Sequence, residues 1–204
     1  LPAYLRHVIV VDDASPDKTA EIVAEAAIRD PRIVLIRHEK NRGVGGAMTS
    51  GFRKALELGA QIVVKLDGDG QMDPTLIPAF VSPILNGDAD YAKGNRFFDL
   101  EEIRQMPKMR LFGNAALSFL TKLSSGYWDL FDPTNGFTAI HKDVARHLPM
   151  EKISKRYFFE TDMLFRLNTL RAVVVDIPMD AKYADEESNL KISKIIGEFF
   201  VKHM

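Results

Sequence analysis

The feature that most restricts how this chain can fold is a cycle repeated along its first 85 residues: an apolar run, a polar loop, then a stretch of helical period. Val8-Ile9-Val10-Val11 is β-branched and ends in Asp12-Asp13-Ala14-Ser15-Pro16-Asp17, and residues 18–29 follow with Ile22, Val23, Ala26 and Ala27 at helical spacing. Ile33-Val34-Leu35-Ile36 leads into Asn41-Arg42-Gly43-Val44-Gly45-Gly46 and a helical stretch over 47–58 that Gly59 ends. A third apolar run, 62–66, passes into three aspartates, and Pro74 opens a helix across 76–85 with proline in its first turn. Near-continuous apolar strands alternating with helices predict an α/β domain with a mostly parallel sheet covered on both faces. Ligands of such sheets bind beyond the carboxyl ends of the strands, where all three polar loops lie, so these loops are expected to share one crevice.

The second half is less regular. Residues 89–94 read as a strand, 107–123 as an amphipathic helix and 173–177 as a late strand, with loops at Gly94-Asn95-Arg96, Asp132-Pro133-Thr134-Asn135-Gly136-Phe137 and Phe159-Glu160-Thr161-Asp162. At 204 residues and 46% apolar content the chain suits one domain. Lys+Arg 27 against Asp+Glu 28 leaves a net charge of −1, so no global field draws it to nucleic acid and any anion site must be local. Without cysteine there is no disulfide, thiolate metal site or cysteine nucleophile. No apolar stretch is long enough to span a bilayer and the first residues lack a signal-peptide pattern, so neither spanning nor secretion is expected of these residues.

The aspartates in Lys65-Leu66-Asp67-Gly68-Asp69-Gly70-Gln71-Met72-Asp73-Pro74 carry the most chemical information. A calcium loop counted from Asp67 fails, because Met72 and Pro78 stand where glycine and glutamate are needed. A phosphatase Asp-x-Asp nucleophile would have threonine or valine where Gln71 stands. Capping of the next helix suits Asp73. It does not account for Asp67 and Asp69, whose mutual repulsion costs stability unless a cation sits between them. The remaining reading is a divalent ion, Mg²⁺ or Mn²⁺, whose oxygen shell is completed by the diphosphate of a nucleotide. An ion pair between either acid and a lysine or arginine would remove the need for that cation.

The Gly43-x-Gly45 segment starts like a dinucleotide fingerprint, but Met48 occupies the third required position and the loop follows the second strand. Its glycines suit tight turns and close backbone approach. His7, His38, His141, His147 and His203 show no metal-ligand spacing and receive no role.

Five segments in order, Val10-Val11-Asp12-Asp13-Ala14-Ser15-Pro16-Asp17, Asn41-x-Gly43-x-Gly45-x-Ala47, Asp67-x-Asp69-x-Gln71-x-Asp73-Pro74, Gly94-Asn95-Arg96 and Asp132-x-Thr134-x-Gly136-Phe137, resemble the family 2 glycosyltransferases. The branch they resemble is that of the polyprenyl-phosphate sugar transferases, typified by dolichol-phosphate mannose synthase. The resemblance implies a GT-A nucleotide-diphospho-sugar transferase fold over residues 1–187, with 188–204 an amphipathic helix. It implies that Asp13 contacts the nucleotide base with Asp12 nearby, that Asp67, Asp69 and Gln71 hold the Mg²⁺ or Mn²⁺ and the diphosphate, and that Arg96 and Arg110 hold the acceptor phosphate. Asn114 lies one helical turn after Arg110.

The implied reaction moves a hexose from a GDP- or UDP-sugar to a polyprenyl phosphate with inversion. A lipid phosphate is already anionic and needs placement, whereas a hydroxyl acceptor needs a base, for which the resemblance offers Asp162. With a phosphate acceptor, Asp162 and Glu160 would orient Arg96, Arg110 or the sugar, and Asp132 either contacts the sugar or caps its turn. A hydroxyl-acceptor transferase and a nucleotide-binding but silent fragment stand as alternatives. Residues 107–123 and 188–204 mix apolar stripes with lysine and arginine, which suits either core packing or a membrane interface on the cytoplasmic side. The family's opening strand, commonly Pro-x-Tyr-Asn-Glu, is expected ahead of Leu1, and a basic residue expected near Ser188 is represented only by Lys182 beside Tyr183.

Overall fold

The computed structural model describes residues 2–98, 108–156 and 158–180, the side chains of 108–114, 116 and 117 excepted. Strand β1 (Val8–Asp12) pairs in parallel with β2 (Ile33–Arg37), Val8 opposite Ile33 through Asp12 opposite Arg37, and helix α1 (Thr19–Arg29) makes the crossover. The β-branched runs thus form strands where their sequence predicts them. Helix α2 (Val44–Glu57) follows the glycine-rich loop and packs on both β1 and β3 (Ile62–Lys65).

The main sheet corrects the expectation of a mostly parallel arrangement. Its order is β3-β5-β4-β6, with β4 (Tyr91–Asn95), β5 (Thr138–His141) and β6 (Val174–Pro178). Only β4 and β6 pair in parallel there; β5 is antiparallel to both neighbours, while β3 runs in the same direction as β4 and β6. The chain reaches β5 through the 132–137 turn, which lies at the carboxyl end of β4, so it can only run back toward the opposite end. The strand is hard to see in sequence because four residues, Thr-Ala-Ile-His, carry little apolar signal. The β1–β2 ladder forms a separate sheet.

Alternation along the strands gives the main sheet two apolar faces. Val63, Tyr91, Ile140 and Val174 pack against Met48 and Phe52 of α2 and Met163, Leu164 and Leu167 of α6 (Phe159–Thr169). On the other face Val64, Ala92, Ala139 and Val175 meet Ile77, Phe80 and Ile84 of α3 (Ile77–Leu85). Phe80 stacks on Phe137 with ring centroids 3.9 Å apart, both rings fully buried. Helices therefore cover both faces of this sheet, as expected. Pro74 opens a 3₁₀ turn, Pro74–Leu76, ahead of α3, and Asp73 caps it by accepting the Thr75 amide at 2.9 Å and its hydroxyl at 2.7 Å.

Residues 159–162, expected as a loop, are instead the first turn of α6. Phe159, Met163, Leu164 and Leu167 recur at helical spacing and are buried, and Glu160 and Asp162 sit at the end of the helix that favours negative charge. Helices α4 (Lys108–Ser125), close to the expected 107–123, and α5 (Lys142–His147), with a 3₁₀ turn Met150–Lys152, complete the described elements. The expected helix over 188–204 and the Lys182–Tyr183 position lie outside the described residues.

Candidate functional site

Each of the three polar loops follows the carboxyl end of its strand, and those after β1 and β2 meet. After β1, Ala14 takes a left-handed φ of 60° and turns the chain sharply. Asp12 is buried, accepts the Ser15 amide at 3.1 Å and lies 3.6 Å from Arg37 Nε, which fits a role in shaping the loop. The Asp13 carboxylate accepts the Arg42 amide at 2.9 and 3.0 Å and the Gly43 amide at 2.7 Å, and lies 2.6 Å from His38 Nδ1. Burial opposes its ionisation, but His38 and the two amides outweigh that and hold its pKa below the ordinary value. An open hollow of about 330 Å³ lies beside it, lined by Ala14, Ser15, Arg37, His38 and Glu39. His38, which sequence spacing left without a role, bridges Asp13 to the Ser50 hydroxyl, 2.8 Å from Nε2, and ties the loop to α2.

The glycine-rich segment serves close backbone approach, as its sequence allows. A Cβ on Gly43 would lie 2.4 Å from the Lys155 carbonyl oxygen and one on Gly45 2.2 Å from that of Ser154, while the Gly45 amide donates to the Lys155 carbonyl at 3.1 Å. The start of α2 is therefore a seat for residues 154–155, which lead into α6.

Around the aspartates the structure departs from expectation. Asp67 Oδ1 lies 2.6 Å from Lys65 Nζ in an ion pair, so one of the two acids already has a counter-charge inside the protein. The argument that only a metal ion could reconcile them loses that half of its force. Asp69 is exposed, with Oδ1 accepting the Gln71 amide at 3.0 Å across a turn in which Gly70 has φ 75°. Among the described residues no three acidic or histidine side chains group tightly enough to hold a metal ion by themselves.

Behind the aspartates a polar row crosses the sheet: Lys65, Thr138, Lys93 and Asp176 are consecutive partners on β3, β5, β4 and β6. Paired residues share a face, so all four sit on the side covered by α2 and α6. Lys93 is 1% exposed and donates to the Asn135 carbonyl. Burial lowers its pKa to about 8 against the pull of Glu160 and Asp132. Burial also raises the pKa of Glu160, which feels both lysines and Asp67.

Arg96 binds Asp132 two-pronged, Nε to Oδ2 at 2.7 Å and Nη2 to Oδ1 at 3.0 Å, and Asn135 Nδ2 donates to the same carboxylate at 3.3 Å. Asp132 therefore orients Arg96, and although fully buried it also receives the Thr134 hydroxyl at 3.3 Å across its own turn, in keeping with the cap expected there. Asp162 is used elsewhere: Oδ2 accepts the Ser154 amide at 2.7 Å and Oδ1 lies 3.1 Å from Arg166 Nε. The side chains of Arg110 and Asn114, on α4, lie outside the described residues.

Comparison with known proteins bears on the family and the fold. Residues 2–148 match the model of "Glycosyl transferase family 2". The chain is 32% identical over 203 residues to the UDP-N-acetylglucosamine–dolichyl-phosphate N-acetylglucosaminyltransferase of Methanococcus voltae, covering 94% of this chain and 80% of that one. It is 31% identical to the undecaprenyl-phosphate mannosyltransferase of Micrococcus luteus, covering 95% and 79%. The crystal structure of glucosyl-3-phosphoglycerate synthase from Mycobacterium tuberculosis, with Mn²⁺, UDP-glucose and glycerol 3-phosphate, superposes with a TM-score of 0.63 at 20% identity, over 96% of this chain and 68% of that one.

Proposed function

The chain belongs to glycosyltransferase family 2, and on that premise we propose that it transfers a hexose from a nucleoside diphosphate to a polyprenyl phosphate with inversion. The observation that carries the choice of acceptor is the engagement of Asp162. Both its oxygens have partners, one the Ser154 amide and one Arg166, which favours a positioning role for the carboxylate offered as a base. A hydroxyl acceptor needs a base at that place, whereas a lipid phosphate does not. The named relatives, which act on dolichyl and undecaprenyl phosphate, support the same choice.

In this reading the hollow beside Ala14 and His38 takes the nucleotide base, near Asp13. Arg96, stiffened by Asp132, holds the acceptor phosphate, with Arg110 and Asn114 assisting. An oxygen of that phosphate attacks the anomeric carbon, the bond from that carbon to the diphosphate oxygen breaks, and no proton has to be removed. The residues present suit Mg²⁺ or Mn²⁺ on one condition. Asp69 offers an open carboxylate with Gln71 beside it, and Asp67 can join once Lys65 releases it, which is a donor set that a diphosphate must complete. The ion would neutralise charge on the leaving diphosphate.

A lipid acceptor requires a membrane surface, and the site has an apolar flank. Phe119, Leu123, Trp128 and Phe131 are all more than half exposed, and Lys122 lies over the Phe131 ring at 4.6 Å. Among the described residues no helix is long and apolar enough to cross a membrane. Attachment at the cytoplasmic face through this patch fits that composition.

The test uses radiolabelled UDP- and GDP-hexoses with Mn²⁺ and either a polyprenyl phosphate or a saccharide acceptor. Transfer to the lipid that Asp162→Asn keeps within about tenfold is expected, since a missing base would cost ~10²–10⁴-fold. Transfer only to the saccharide, abolished by Asp162→Asn, would overturn the reading. Nucleotide binding with no turnover of any donor would leave a silent domain.

A further inference from the structure

Lys65 closes β3 with its ammonium buried, and the nitrogen lies among charges that do not all agree. Asp67 Oδ1 is 2.6 Å away, but off the direction a hydrogen bond needs, and among the described residues no other hydrogen-bond acceptor meets the nitrogen. An ammonium has three donors, so this one is held by charge alone. Glu160, at the start of α6, is close enough for its charge to act on both Lys65 and Asp67, and Lys93 lies two strands over in the same row. Gly136 makes room on one side, since a Cβ there would meet Asp67 Oδ2 at 2.4 Å and Lys65 Nζ at 2.6 Å. Lys65 thus has one acid in contact and a second within electrostatic range.

We propose that Lys65 is an internal counter-cation: it occupies Asp67 while no donor is bound and turns to Glu160 when Asp67 is needed at a divalent ion. The inference rests on the metal-site reading above and deepens it. It makes ion binding an exchange of cations, with two consequences. Without a nucleotide, Asp67 and Asp69 do not repel each other with full charge, so the empty site remains stable. A divalent ion arriving alone must displace Lys65 with only Asp69 to help. One arriving with a diphosphate brings enough negative charge to balance itself, and Lys65 passes to Glu160. Lys65 therefore makes metal and diphosphate bind cooperatively, and by reciprocity each strengthens the other equally.

Mn²⁺ binding to the whole chain, read by the electron paramagnetic resonance of the free ion with and without UDP or GDP, tests this without any turnover. Lys65→Met is expected to bind Mn²⁺ alone about tenfold more tightly than wild type, while affinity in the presence of the nucleotide changes by less than about threefold. Glu160→Gln, which removes the place where Lys65 goes, is expected to weaken Mn²⁺ binding about tenfold with the nucleotide present. Should Lys65→Met not fold, Lys65→Gln removes the same charge and Glu160→Gln tests the other half. Equal or weaker binding of Mn²⁺ alone after loss of the Lys65 charge would overturn the inference while leaving the metal site intact. Failure of wild type to bind Mn²⁺ with either nucleotide would overturn the metal reading and this inference together.

Discussion

Arg96 and Asp132 face each other through two parallel contacts, at 2.7 and 3.0 Å, across 36 residues of sequence. The carboxylate is fully buried, so removing its partner leaves an uncompensated charge, which is costly. Arg96→Ala is expected to lower stability by roughly 2–4 kcal/mol, somewhat below a wholly buried pair because the guanidinium is partly exposed. Arg96→Lys should recover part of that stability and little of the transfer activity, since a point charge cannot hold both oxygens. The Asp132 pKa is held below its ordinary value by Arg96 in spite of burial, so its stabilisation is present above the ordinary carboxylate range and lost as pH falls through the lowered value. Urea denaturation of Asp132→Asn against wild type between pH 7 and pH 2.5 should show the gap between them closing at the acid end.

Gly45 and Gly51 lie on the same helix and predict opposite outcomes. A methyl group on Gly45 would strike the Ser154 carbonyl at 2.2 Å and the Lys155 Cα at 2.9 Å, and backbone cannot step aside as a side-chain tip does. Gly45→Ala is expected to cost roughly 1–3 kcal/mol through forced displacement. At Gly51 the nearest atom is Val11 Cγ2 at 3.4 Å, so Gly51→Ala should be neutral or gain up to about 1 kcal/mol of helix propensity. Denaturant midpoints of the two variants check both.

These examples show where the sequence is legible. The β-branched runs at 8–11 and 33–36, the Asp73 cap before Pro74 and the glycines of the 43–45 segment declare themselves through local pattern, and each behaves as its neighbours predict. The pairings that define the site are mostly between distant segments: Asp13 meets His38 from 25 residues away, and Arg96 meets Asp132 from 36. No periodicity encodes those. Two of the pairings are local. Lys65 stands two residues before Asp67 at the end of an apolar strand, where a buried lysine asks for an acid. Asp162 and Arg166 are four apart, a helical pair that becomes visible once 159–169 is seen to carry a buried helical stripe.

Lys93 should make stability rise with pH in the alkaline range. Burial lowers its pKa to about 8 from the ordinary 10.5, so between those values the unfolded chain holds a proton that the folded chain does not. Stability then increases as pH rises from about 8 to 10.5, and below about 8 the penalty is complete. Lys93→Met has no such group. The stability of wild type relative to Lys93→Met is expected to climb across that window by on the order of 2–3 kcal/mol. Urea titrations at pH 7.5, 9 and 10.5 measure it, and a flat difference would mean that Lys93 keeps its proton in the folded state.

Trp128, the chain's single tryptophan, makes the apolar flank directly observable. It stands edge-on to Phe119 with ring centroids 6.3 Å apart, and both rings are more than half exposed. Phe131 immediately precedes the Asp132 that orients Arg96, so a lipid whose phosphate reached Arg96 would carry its chain past these rings. Vesicles of anionic phospholipid should shift Trp128 emission to shorter wavelength as the ring leaves water, with partial reversal by salt because Lys122 contributes charge attraction. The variant Phe119→Ser with Phe131→Ser keeps the reporter and loses two apolar side chains, each worth roughly 1.5–3 kcal/mol on full burial, so vesicle affinity should fall by at least about tenfold. Unchanged Trp128 emission on vesicles, with or without polyprenyl phosphate in them, would mean that the flank packs against something other than lipid.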